Sequence, residues 1–204
     1  MADRTAIPEP TQPTQLTPLA LAALALLAER EMHPYEMFQL MQLRREERVV
    51  KVNAGSLYRA VERLDRDGLI ESTAIERDGN RPERTVYRVT DAGRDAMLEN
   101  LAALLSAWRN EYPSFPLAIG GAHHLPLPEV IDLLEQRRAS IAEWLDVLDT
   151  SRRVVAEKGV PRRFVLDIHY LRAMIAAEDD WLAGLLVELR AGDIDWPAPP
   201  RKET

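Results

Sequence analysis

The segment Asn53 to Gly68, N-A-G-S-L-Y-R-A-V-E-R-L-D-R-D-G, carries a start signal and a stop signal for a helix, and the rest of the chain is read around it. Asn53 is a good N-cap, because its side-chain oxygen can accept from a backbone N–H two or three residues on. Gly68 is a good stop, since glycine takes the left-handed conformation that ends helices. Between them Leu57, Val61 and Leu64 recur at helical spacing and fall on one side of the cylinder. Gly55, Arg59, Glu62 and Arg66 project from the opposite side, flanked by Ser56 and Arg63. The helix is therefore short, held by one apolar stripe, and shows a small, cationic face at and after its N-terminus. A helix entering a DNA major groove needs that geometry, with its positive dipole end toward phosphate and arginine forks toward base edges. An amphipathic surface helix with solvated charges has the same pattern, and the helix alone is open to both readings.

The next residues narrow the choice. Leu69 to Glu76 and Thr85 to Thr90 are extended-type segments, the second rich in β-branched and aromatic residues. Asp78-Gly79 and Asn80-Arg81-Pro82 lie between them and predict a hairpin with an irregular, cationic tip. Arg77, Arg81, Arg84 and Arg88 load this hairpin, while Glu76, Asp78 and Glu83 balance them in formal count. Helix, short turn and arginine-bearing hairpin is the order of a winged helix-turn-helix. The runs G-S-L-Y-R-A-V-E-R-L-D-R-D-G-L-I and N-R-P-E-R-T-V-Y-R-V-T-D-A-G-R resemble the recognition helix and wing of PadR-type transcriptional regulators. L-L-A-E-R-E-M-H-P-Y-E-M is similar to the join of the first two helices in that family, with Pro34 where many members have glycine. The resemblance runs over about residues 16–190 and is most specific up to Arg94; beyond it, E-D-D-W-L resembles a late helix of the subgroup with a helical C-terminal half. It implies a homodimer that binds operator DNA through the winged domain, usually as a repressor, and dimerises through its C-terminal helices. In some members a small molecule or stress signal releases the DNA.

Charge limits how DNA could be held. The 204-residue chain has a formal net charge of −7, which argues against non-specific coating of nucleic acid. Residues 16–95 carry 13 basic and 14 acidic side chains, and residues 96–204 carry 12 and 17. Any DNA contact must come from a local basic surface. The absence of cysteine excludes disulfides, thiolate chemistry and cysteine-built metal sites, and fits a cytoplasmic protein.

The expected fold class is mainly α: an N-terminal winged helix-turn-helix with a two-stranded wing, then a C-terminal helical, coiled-coil-like dimerisation domain. Residues 1–15, rich in Pro, Thr and Gln, read as a disordered lead-in. Residues 16–111 form the winged domain. Within it, Leu16 to Ala28 is too short to span a bilayer and runs straight into Glu29-Arg30-Glu31, so it reads as a buried core helix capped by Thr17-Pro18, with no membrane partner. His33-Pro34 opens a second helix over about Tyr35 to Arg48, and His33 reads as a hydrogen-bonded turn residue. After the wing, Thr90-Asp91-Ala92-Gly93 caps a helix with Met97, Leu98, Leu101, Leu104, Leu105 and Trp108 in one stripe. Pro113, Pro116 and Gly120-Gly121 mark a linker over 112–125. Residues 126–191 hold two long helices with near-heptad stripes. Residues 192–204 read as a flexible tail. Glu178-Asp179-Asp180 reads as a solvated or interface-facing turn of helix, since adjacent side chains diverge.

The residues expected to contact double-stranded DNA are Lys51, Asn53, Ser56, Tyr58, Arg59 and Arg63 around the helix, and Arg77, Asn80, Arg81 and Arg84 on the wing. An effector site, if the chain has one, would use the flat rings of Trp108, Trp144 and Trp181, whose other reading is core packing. The chain has no Gly-rich phosphate loop, nucleophile elbow or metal-spaced His/Cys set, so neither enzyme chemistry nor a cofactor nor a metal is expected. The acidic helical half also fits a protein–protein adaptor, which would have no need of an arginine hairpin beside a capped helix.

Overall fold

In the computed structural model, which describes residues 16–76, 84–108 and 110–197, the chain divides into one unit up to Asn110 and a second from Glu111. In the first, α1 (Pro18–Glu29) starts where Thr17 Oγ1 accepts from the Ala20 N–H at 3.2 Å. Leu19, Ala20, Ala23, Leu24, Leu26 and Leu27 are buried, so α1 is the centre of this unit's core. Among the described residues no helix is long and apolar enough to cross a membrane. His33 is the N-cap of α2 (Pro34–Arg44): its Nδ1 accepts from the Tyr35 N–H at 3.0 Å, and the Glu36 carboxylate accepts from the His33 N–H at 3.0 Å. The helix stops at Arg44 rather than the expected Arg48, because Arg45 turns left-handed (φ 55°) and a tight 3-10 turn follows over Glu46–Arg48. Arg44 itself grips Glu29 at 2.6 and 2.7 Å, and this hydrogen-bonded guanidinium holds the Glu29 carboxyl below its usual range.

The recognition helix expected from sequence is α3 (Ala54–Arg66), with Leu57, Val61 and Leu64 buried in the α1 core. Asn53 Oδ1 accepts from the Ser56 N–H at 2.8 Å. At the other end Gly68 is left-handed (φ 71°), its N–H bonds the Asp65 carbonyl, and the Leu69 N–H bonds the Leu64 carbonyl. That is a Schellman stop, and it sends the chain directly into β1 (Ile70–Glu76). β1 pairs antiparallel with β2 (Arg84–Val89), in register Ile70 with Val89, with one bulge at Thr73. Met32 adds a short bridge to Tyr87 on the far edge of β2, fixing the wing to the turn before α2.

α4 (Asp91–Ser106) is locked to the end of α3. Thr90 Oγ1 accepts from the Gly93 N–H and donates to the Gly68 carbonyl at 2.8 Å. Gly93 has no room for a side chain, since a Cβ there would sit 1.8 Å from the Leu69 carbonyl oxygen. α4 buries only Gly93, Ala96, Met97 and Asn100. Leu98, Leu101, Leu104 and Leu105 of the expected stripe are exposed, and Trp108 lies beyond the helix end, 88% exposed.

The second unit begins earlier than the sequence suggests. The expected linker over 112–125 carries α5 (Ser114–Gly120) and a 3-10 turn (Ala122–His124). Phe115, Ile119 and Ala122 pack on a core of Val130, Leu134, Ile141, Leu182, Leu186 and Leu189. Pro113 and Pro116 open α5 instead of breaking it, because a first helical turn has no carbonyl waiting for their missing N–H groups. α6 (Leu127–Glu157) and α7 (Leu166–Ala191) form the body of the unit. Their ion pairs run in opposite order along the two helices: Glu135 with Arg190, then Arg137 and Arg138 with Glu178 and Asp179, then Asp149 with Arg172. The pairing is antiparallel, and two of the three acidic residues at 178–180 serve as its cross-links. The expected flexible tail is anchored at its start, where Trp196 packs on the core with Ile194 and donates its indole N–H to the Leu125 carbonyl at 3.0 Å.

Candidate nucleic-acid interface

Burial of Leu57, Val61 and Leu64 on one side of α3 turns Arg59, Glu62, Arg63 and Arg66 outward. Lys51 is exposed just before the helix. Among the described residues Lys51, Arg59, Arg63 and Arg66 make no ion pair, although Glu62 and Asp65 are also exposed on this helix. Elsewhere in the same unit several arginines are engaged, although Arg45 and Arg94 also make no ion pair among the described residues. Arg44 holds Glu29, and Arg88 of the wing bonds Glu71 across the strands at 2.8 Å, which removes it from the cations on offer.

Asn53 and Ser56, expected as DNA contacts, serve each other. The Asn53 side chain caps the Ser56 N–H, and Ser56 Oγ donates to the Asn53 carbonyl at 3.0 Å. Their first task is to hold the N-terminus of α3. Tyr58 divides its ring: one edge meets the His33 imidazole at 6.2 Å and 73°, and the rest is open. The residue that caps α2 thus also touches α3. Arg77, Asn80 and Arg81 lie outside the described residues. Arg84 opens β2, and its backbone alone is described.

Gly55 lies exposed in the first turn of α3. Its φ is ordinary, and a Cβ built on it would meet only Asn53 Oδ1, at 3.7 Å. The fold does not require glycine here, although a helix without one would be more stable. The small residue is explained if another backbone approaches the start of α3 closely. Gly93, by contrast, is required by the fold.

The three tryptophans expected at an effector site are divided between the two units. Trp108 is exposed beyond α4. Trp144 and Trp181 belong to the second unit, and Trp181 lines a cavity there. It meets Phe115 edge-on at 6.3 Å and 83°, and its partner across the cavity is Trp196, which the proline-rich composition of the tail concealed.

Residues 23–99 match the model of the transcriptional regulator PadR-like family. Among solved structures, Bacillus subtilis PadR in complex with operator DNA superposes with a TM-score of 0.69 at 18% identity, covering 84% of this chain and 98% of that one. The same protein in complex with p-coumaric acid gives a TM-score of 0.65 at 18% identity, covering 88% and 99%. The PadR-like transcriptional regulator BC1756 from Bacillus cereus gives 0.62 at 15%, covering 85% and 99%. A search of curated proteins found no match. At these identities the structural likeness is one of fold.

Proposed function

We propose, from the match of residues 23–99 to the PadR-like family model and from their winged helix-turn-helix fold, that the chain is a cytoplasmic, sequence-specific DNA-binding transcriptional regulator. It acts as a homodimer on an inverted-repeat operator, represses, and is released by a small effector. The observation that carries the reading is the outward face of α3, where arginines that make no ion pair among the described residues stand beside a glycine that the fold does not need. Arg59 and Arg63 reach base edges, and Lys51 and the half-open Tyr58 meet phosphates. Arg77, Asn80, Arg81 and Arg84 contact the backbone or minor groove from the wing. Asn53 and Ser56 act through the helix N-terminus they hold.

The dimer reading is supported by leucines too many for one chain to cover. Leu98, Leu101, Leu104 and Leu105 on α4 are exposed, as are Tyr170 and Met174 on α7. The effector reading is supported by the p-coumaric acid complex of B. subtilis PadR. Binding to duplex DNA across a salt series tests the central part. Each phosphate neutralised should contribute about −0.9 to the slope of log affinity against log salt. A flat dependence would remove the DNA reading and favour an adaptor.

A further inference from the structure

We propose that the second unit contains a binding site for a small, uncharged, planar aromatic molecule beneath α5, between Trp181 and Trp196. α5 is only seven residues long, has no side-chain N-cap, and none of its residues is fully buried. It therefore covers the α6–α7 pair incompletely. On one side of it a cavity of about 240 Å³ is lined by Ile119, Gly120, Val130, Trp181, Leu185 and Trp196. On the other, a groove of about 260 Å³ reaches Phe115, Leu133 and Arg137, and the two share Ile119 and Val130.

The lining selects the ligand. Its walls are almost wholly apolar, so water inside would find few hydrogen-bond partners. The nearest polar groups are engaged. The Trp196 indole N–H donates to the Leu125 carbonyl, and Arg137 is held by Glu178 at 2.6 Å while its guanidinium stacks 3.7 Å over Phe115. A carboxylate would find no unpaired cation among the lining residues, which selects against a charged ligand. Two indoles favour a flat ring that can stack or meet them edge-on. The volume lies below the roughly 300–1,000 Å³ of drug-sized pockets, so the occupant has one or two rings. Gly120 lines the cavity mouth, and a Cβ there would meet nothing within 4 Å, so a side chain can be added without a clash. One wall is the start of the tail, so an occupant ties Trp196 more firmly to α7. The site names the chemical class of the effector in the regulatory reading and rests on that reading for its consequence, while the binding itself stands apart from DNA.

The test uses the full chain and 1-naphthol, by calorimetry and thermal melting without DNA. The expected result is one saturable site per chain and a raised melting temperature. Gly120→Leu fills the cavity, so it should keep or raise the ligand-free melting temperature and weaken 1-naphthol at least about tenfold by occupying its contact surface. Trp196→Ala should weaken it as well. No saturable binding overturns the site, and so does equal affinity in Gly120→Leu. A changed sedimentation coefficient in Gly120→Leu also overturns it, because the cavity then belongs to a second copy of the chain. In a separate arm, 1-naphthol should weaken duplex binding. Binding of 1-naphthol without that effect upholds the site and overturns the effector part of the regulatory reading.

Discussion

Arginine stands in opposite settings on α3 and in the helical pair of the second unit. On α6 and α7 every arginine but Arg153 is matched among the described residues: Arg137 to Glu178, Arg138 to Asp179, Arg152 and Arg172 to Asp149, and Arg190 to Glu135. On α3 the same residue type is exposed with carboxylates on the same helix, yet Arg59, Arg63 and Arg66 make no ion pair among the described residues. A matched arginine sets the register of two helices and offers little to a ligand. An unmatched one keeps all its donors for something outside the chain. The difference separates an internal fastening from a recognition surface more sharply than net charge does, since the whole chain is acidic.

The largest effect should come from destroying the platform that presents α3. Gly93→Ala drives a methyl into the Leu69 carbonyl and forces α4 away from the end of α3. It should cost about 3 kcal/mol, toward the upper end for overpacking, read as a lower urea midpoint. An unchanged midpoint would mean that the α3–α4 junction is not rigid, and the comparison would lose its structural basis. Gly55→Ala sharpens the comparison by pulling fold and binding apart. It should stabilise the chain by about 0.4–1 kcal/mol, because the site accepts a Cβ, and still weaken duplex binding. Stabilisation with undiminished binding would remove the close approach proposed at the start of α3.

The smallest effects belong to the matched arginines. Arg172→Ala should lower the melting temperature slightly, and high salt should reduce the difference. Acid tests the same pairs with a defined sign. Hydrogen bonds from Arg172 and Arg138 hold Asp149 and Asp179 below their ordinary carboxylate range. Their contribution is present above the unfolded carboxylate value of about 3.9 and is lost as pH falls through the lower folded value. The melting temperature should therefore fall on acidification through that window, and less steeply in Asp149→Asn. Equal acid sensitivity in the two proteins would show that the pair does not contribute.

Local signals made the first unit legible. Thr17, Asn53 and Thr90 each cap the helix that sequence placed after them, and Gly68 stops α3. The end of α2 was not legible, because a left-handed Arg45 carries no glycine to announce it. In 112–125 Pro113 and Pro116 look like breakers, and only the packing of Phe115 and Ile119 shows that they start a helix. Trp196 was hidden for the same reason: its anchor is the Leu125 carbonyl, 71 positions away. Of the site itself, the outward face of α3 could be read from helical spacing. The mutual engagement of Asn53 and Ser56, and the loss of Arg88 to Glu71, depend on side-chain geometry that spacing does not contain.

Arg59→Ala, titrated with operator and scrambled duplex across a salt series, tests the unmatched-arginine account most directly. Arg59 projects from the open face of α3 within two turns of its N-terminus, where helix-turn-helix side chains reach base edges. The account predicts an unchanged melting temperature, a loss on the order of 1–3 kcal/mol on the operator, and a smaller loss on the scrambled duplex. Equal losses on both duplexes would reduce Arg59 to a phosphate contact. Undiminished affinity for the operator would contradict the account, because the exposed, unpaired face of α3 would then not be where this chain meets DNA.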